Sequence, residues 1–147
     1  MDIQTQFSVF LINKPGVLAS VTGALAKSHV NIVALALMDS GEHGALRIVC
    51  DKPDVARDVL GKTHDRWTEA EVLVLNLDNQ PGTFADVAQT LADEHVNITY
   101  AYLSSGAPGG RTTAVFKIGD MAKAMKVLTP KVQKKEAPSI RRTPGRR

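Results

Sequence analysis

The sequence predicts an α+β protein built from two copies of one small module, and three observations support this prediction. First, Asn-Lys-Pro-Gly-Val-Leu-Ala, starting at Asn13, recurs as Asn-Gln-Pro-Gly-Thr-Phe-Ala, starting at Asn79. Second, His-Val-Asn-Ile occurs at His29 and again at His95, at the same offset of 66 residues. Third, strand-like and helix-like patterns alternate in the same order in both copies. Two motifs in register indicate a duplication, and two copies are too few for a solenoid, so each copy should be compact.

The first copy opens with a strand at 6–12, which is rich in β-branched and aromatic residues. The Asn-x-Pro-Gly segment ends this strand because its residues favour turns. A helix is expected from Val17, since the apolar residues at 18, 21 and 25 repeat with a helical period. Strands at 31–38 and 45–50 follow, separated by a polar loop. Pro53 then begins a second helix, at a position where its missing N–H costs no hydrogen bond.

An extended segment at 66–77 is expected to complete the first copy and to begin the second, with the handover at 69–71. The second copy repeats the order, with strands at 72–77, 97–104 and 112–118 and helices at 83–93 and 121–128.

This order predicts one module at 1–70, a second at 71–136 and a basic, disordered tail at 137–147, which is too polar to form a core. The second strand of each module, at 32–38 and 98–103, is apolar and should lie at a sheet edge. Such edges are expected to be paired, either between the copies or between chains.

The composition limits the kind of protein this can be. Hydrophobic residues make up 44% of the chain and charged residues 22%, close to the averages of soluble globular proteins. Cys50 is the only cysteine, so no disulfide can form within the chain, which suits a reducing compartment. The first residues lack the pattern of a secretory signal, and no apolar run approaches the ~20 residues of a membrane span. We therefore expect a cytoplasmic protein without membrane contact.

The net charge of +3 is distributed unevenly. Residues 131–147 contain seven basic residues and one acid, a net charge of +6, which leaves −3 for the other 130 residues. The sequence pI of 9.1 therefore reflects the tail. A basic tail favours an acidic partner surface or nucleic acid, but the acidic body does not predict nucleic-acid binding.

The Asn-x-Pro-Gly turn is the main candidate for a binding site. It could serve only as a connection, because Asn, Pro and Gly each favour turn geometry. It also precedes a helix, however, and a helix N-terminus presents unpaired N–H groups that bind carboxylate or phosphate. Its recurrence beside a second recurrent residue, Asn31 or Asn97, favours a ligand site. The side-chain amide of such an Asn is both donor and acceptor, which suits a free amino acid.

The turn, the following helix and the Val-Asn-Ile segment resemble the ACT domain, over residues 4–130. The resemblance implies ferredoxin-like βαββαβ modules whose antiparallel sheets pair edge to edge. It also implies regulation of amino-acid metabolism, side-by-side pairing or a homodimer, and amino-acid binding between the turn of one module and the second strand of its neighbour. The ligand contacts it implies in the first copy are Asn13, Pro15, Gly16, Val17, Leu18, Asn31 and Ile32. Those in the second copy are Asn79, Pro81, Gly82, Thr83, Phe84, Asn97 and Ile98.

Two departures qualify this resemblance. Serine-binding members carry a His two residues before the turn Asn, where this chain has Leu11 and Leu77. In addition, Tyr100 and Tyr102 of the second copy replace two alanines of the first, which predicts a more aromatic and more polar second site. The two sites could be occupied differently, or one copy alone could bind.

Catalysis has little support in the sequence, which has no HExxH, CxxC, GxSxG or P-loop motif. Cys50 is interpreted as a buried structural thiol. His29 and His95 are interpreted as helix C-terminal residues and not as metal ligands. No enzyme activity and no cofactor are expected. The function hypotheses are an amino-acid sensor, a scaffold subunit that binds a partner enzyme without a ligand, and nucleic-acid binding by the tail.

Overall fold

A computed structural model describes residues 1–40, 43–64, 66–106 and 109–136. The predicted disordered tail at 137–147 lies outside these residues. The elements follow the predicted order, and their bounds are β1 (Asp2–Ile12), α1 (Val17–Lys27), β2 (Ile32–Ser40), β3 (His43–Cys50), α2 (Pro53–Thr63), β4 (Trp67–Asp78), α3 (Thr83–Asp93), β5 (Ile98–Ser105), β6 (Arg111–Ile118) and α4 (Met121–Glu136).

The six strands form one antiparallel sheet in the order β2-β3-β1-β4-β6-β5, which confirms the predicted fold class of two paired βαββαβ modules. The copies are joined by β1 and β4, whose ladder runs from Asp2 opposite Val74 to Val9 opposite Trp67. The far half of β1 pairs with β3, and the far half of β4 pairs with β6. Each copy therefore provides the fourth strand of the other. The strand predicted to start at residue 6 begins at Asp2 for this reason.

The β1–β4 ladder has an approximate twofold symmetry that follows from the repeat. An offset of 66 residues converts the pair Asp2–Val74 into the pair Ser8–Thr68, and it converts Thr5–Glu71 into itself. The predicted handover at 69–71 therefore coincides with the centre of the ladder. The predicted module boundary falls inside β4, and it stays a prediction.

Three hydrophobic clusters fill the fold. One lies between the sheet and the helices of the first copy and includes Phe7 and Leu25. A second lies under the helices of the second copy and includes Leu91 and Phe116. The third lies on the sheet face without helices and consists of Ala34, Val49, Val72, Val74 and Val115. The outermost strands, β2 and β5, approach each other over this third cluster. The sheet order contains no β2–β5 ladder among the described residues, so the expected edge pairing occurs through β1 and β4 instead.

Helix α4 is longer than predicted. It continues past residue 128 to Glu136 although it contains Pro130, which cannot donate a main-chain hydrogen bond. The added turns pack beside α3, where the Lys131 ammonium donates to the main-chain oxygen of Asp86 at 3.3 Å. Tertiary contact therefore extends a helix that the local sequence would end.

Candidate functional site

Both Asn-x-Pro-Gly turns have the same backbone geometry. Gly16 and Gly82 precede α1 and α3 with φ angles of 86° and 88°, in the left-handed region that favours glycine. No side chain caps either helix N-terminus by a hydrogen bond. The first main-chain N–H groups of both helices are therefore without side-chain acceptors, as an anion-binding helix start requires.

The two turn asparagines are held differently. The Asn79 side-chain amide donates to the Gly106 carbonyl at 3.2 Å, and its main-chain N–H donates to the Gly110 carbonyl at 2.9 Å. These bonds tie the second turn to the β5–β6 hairpin. Asn13 is exposed, and within the described part of the chain its side chain makes no hydrogen bond. The first turn is therefore the more available to a ligand.

The recurrent Asn31 and Asn97 follow tight helix ends. His29 and His95 adopt positive φ angles of 57° and 56°, and the N–H that follows each His donates back to a carbonyl of the last helical turn. The histidines therefore close the helices through their backbone. Asn31 is then fixed by Asp51, whose Oδ1 accepts the Asn31 N–H at 2.8 Å.

The predicted ligand contacts of one copy do not come together. Helix α1 separates the first turn from Asn31, and its 11 residues span about 16 Å. The strand directions place the first turn at the same end of the sheet as Asn97, and the second turn at the same end as Asn31. No contact between a turn and the opposite Asn occurs among the residues described. Ile32 and Ile98 pack against the cores of their own copies.

A cavity of about 200 Å³ lies at the first turn. It joins the start of α1 to the end of β2 and the start of β3. Three of the predicted contacts, Asn13, Val17 and Leu18, line it, whereas Pro15 and Gly16 do not. The prediction missed further lining residues: Lys14, Leu37, Met38, Asp39 and Gly44. Lys14 could have been noticed, because it is the variable position of the motif and is Gln80 in the second copy. The others come near only through the topology.

The second copy is filled where the first is open. Phe84, at the position of Leu18, stacks on Phe116 with ring centroids 5.3 Å apart. Thr83 is buried. Pro81 and Gly82 are exposed. A larger cavity of about 370 Å³ lies on another side of α3, toward α4, and Thr83 is the only predicted contact that lines it.

Tyr100 and Tyr102 do not make the second turn more aromatic. Their hydroxyl groups bond the Gln6 side chain of β1, which donates to Tyr100 Oη at 2.7 Å and accepts from Tyr102 Oη at 2.8 Å. The Arg47 guanidinium lies over the Tyr100 ring at 3.5 Å. Burial first, and then the neighbouring Tyr100, raise the pKa of Tyr102. The tyrosines hold the two copies together on the helix-free face, which corrects their interpretation as site residues.

The interpretation of Cys50 as a buried thiol is confirmed, since it is 4% exposed. Burial, with a smaller contribution from the charge of Asp51, raises the pKa of this thiol to about 11. The described residues contain no group of three metal-ligating side chains. None of the helices in the described part of the chain is long and apolar enough to cross a membrane.

Comparisons with known proteins agree with this geometry. The crystal structure of a Bacteroides thetaiotaomicron protein is 32% identical, with a TM-score of 0.80 and coverage of 88% of this chain and 89% of that one. The ligand-free regulatory subunit of aspartate kinase from Thermus thermophilus shares the fold at 13% identity, with a TM-score of 0.62 and coverage of 88% and 93%. No curated protein sequence matches the chain. The family described as "ACT domain pair" matches residues 1–136, and the chain belongs to this family.

Proposed function

We propose that the protein is a non-catalytic regulator of amino-acid metabolism that binds a free amino acid in the cavity at the first turn. The observation that carries this proposal is the composition of the cavity wall. The α1 N-terminus and Lys14 provide positive potential for a carboxylate, and Asp39 provides a negative group for an ammonium. Val17, Leu18 and Leu37 provide apolar walls. These are the groups that a small zwitterion requires.

The proposed mechanism is thermodynamic linkage. The cavity lies between a helix start and the β2–β3 hairpin, so a ligand that contacts both would favour one arrangement of these elements. A partner that recognises that arrangement would then bind with a different affinity. The similarity to an aspartate kinase regulatory subunit supports an enzyme as such a partner.

The test is a thermal-shift panel of the twenty amino acids at millimolar concentration. A ligand present at about ten times its Kd stabilises the native state by about 1.4 kcal/mol, which raises the Tm of a chain of this size by about 4 °C. Asn13→Ala and Lys14→Gln should abolish most of the shift, whereas Gln80→Lys is the matched control. No shift with any amino acid, or an unchanged shift in the Lys14 variant, would contradict the proposal. Asn97→Ala tests whether the opposite Asn contributes.

A second candidate function is a subunit that docks on a partner protein without a ligand. An exposed apolar surface on the helix-free face supports it, formed by Phe10, Ile12 and Met38. Their second-copy counterparts are polar: Asn76, Asp78 and Ser104. Self-pairing of this surface would give a homodimer. Sedimentation analysis of wild type and Phe10→Asn tests the dimer. Capture of an enzyme that is unaffected by Lys14→Gln would favour this candidate over the sensor.

A further inference from the structure

The larger cavity of the second copy has an apolar floor. It lies between α3, the last turns of α4 and the end of β4, with a volume of about 370 Å³. Leu75, Leu77, Val87 and Leu128 line it, and all four are buried members of the second-copy core. The cavity therefore opens directly into the core and can receive an apolar group of a ligand. Its volume lies within the usual range of small-molecule pockets.

The polar lining of this cavity contains two acids and two bases. Asp78 and Arg111 form an ion pair at 2.8 Å. The Lys131 ammonium lies beside the start of α3, where it donates to the main-chain oxygen of Asp86 at 3.3 Å. An isolated anion would meet two carboxylates here, and an isolated cation would meet two bases. A ligand that carries both charges can face one group of each kind.

The first copy does not have this set of charges. At the offset of 66 residues, Asp78, Asp86 and Arg111 correspond to Ile12, Ser20 and Ala45. Met1, which also lines the cavity, corresponds to Trp67, whose larger ring packs against Phe7. The charged cavity is therefore a feature of the second copy and not of the shared fold. Its Lys131 and Val132 come from the part of α4 that extends beyond the predicted helix.

We propose that this cavity between α3 and α4 is a second ligand site, which takes an α-amino acid with an apolar side chain. The side chain enters the floor, the ligand ammonium faces Asp86, and the ligand carboxylate faces Lys131. The choice of ligand class rests on the proposed function. The site is separate from the first-turn cavity, and it requires only one chain.

The test is amide NMR of the full chain titrated with L-leucine. The expected result is saturable shifts at Val87, Leu128 and Lys131. Two probes lack one charge each, 4-methylpentanoate without the ammonium and 3-methylbutylamine without the carboxylate, and both should bind more weakly. Shifts confined to Val17, Leu18 and Leu37 would overturn this site and leave the proposed function standing. The absence of shifts with leucine and with every other amino acid would overturn both.

Exposed charge variants test the same site without risk to the fold. Asp86→Asn and Lys131→Ala should each weaken L-leucine binding by about three- to tenfold, the range for loss of a charge-assisted contact at a partly exposed position. The matched controls are Asp93→Asn, at the far end of α3, and Lys126→Ala, on the exposed side of α4. Unchanged affinity in both cavity variants, or equal losses in the controls, would overturn the proposal.

Discussion

Replacing Gln6 by Met should destabilise the protein through the two tyrosines of the other copy. Gln6 is completely buried, and its amide makes hydrogen bonds with Tyr100, Tyr102 and Ser8 at 2.7, 2.8 and 3.3 Å. Met has a similar length but no hydrogen-bonding groups, so Gln6→Met removes three bonds and leaves two tyrosine hydroxyls without their partner. Each lost bond costs about 1 kcal/mol, and the half-buried hydroxyls retain some access to water. The expected loss is about 2–3 kcal/mol.

The triple variant Gln6→Met, Tyr100→Phe, Tyr102→Phe should recover most of this loss and lie within about 1 kcal/mol of wild type, because it removes both sides of the network. Urea denaturation followed by the fluorescence of Trp67, which packs against the neighbouring Phe7, measures these free energies. Gln4→Met, on the same strand, is the control and should change stability by less than about 0.5 kcal/mol. The reasoning is refuted if Gln6→Met unfolds like wild type, or if the triple variant is no more stable than the single variant.

Three further predictions concern the backbone and the buried thiol. Gly16→Ala should destabilise by about 1–2 kcal/mol because its φ of 86° disfavours a side chain, whereas Gly23→Ala, inside α1, should stabilise by about 0.5–1 kcal/mol; thermal unfolding that shows the same sign for both contradicts this. His29→Gly should stabilise by up to about 1 kcal/mol, since a φ of 57° strains His, and a loss of stability would show that the imidazole makes a needed contact. Cys50 has its pKa raised to about 11, so the unfolded thiol ionises first; stability should be unaffected below about pH 9 and fall by up to about 1.4 kcal/mol per pH unit between pH 9 and 11. That slope should be shallower in Cys50→Ala, and an equal slope would exclude the thiol as its source.

Local chemistry explains which elements the sequence predicts well. The starts of α1 and α3 are read correctly because the turn glycine and the apolar period act within a few residues. The N-terminal half of β1 is missed because Asp2 to Thr5 has no strong strand pattern, and its partner lies about seventy residues away. The extension of α4 past Pro130 is missed because contact with α3 maintains it.

The candidate site divides in the same way. The turn residues that line the first cavity, such as Asn13 and Val17, belong to a local motif and are visible in the sequence. Leu37 and Met38 reach the cavity through strand pairing, which one sequence does not specify. Tyr100 and Tyr102 were assigned to the wrong place because the face on which a strand residue lies depends on register, and both copies have a bulge near the start of the second strand.

The exchange of strands between the copies determines when this chain can fold. The central ladder joins Asp2 to Val74, so β1 has to wait during synthesis until β4 has left the ribosome. Contacts between such distant residues are slow to form because a long loop must close first. Until then β1 has only β3 as a partner, and its other edge stays exposed. The two copies therefore cannot fold one after the other as beads on a string: the nascent first half is an unfinished sheet, vulnerable to mispairing until the second half arrives.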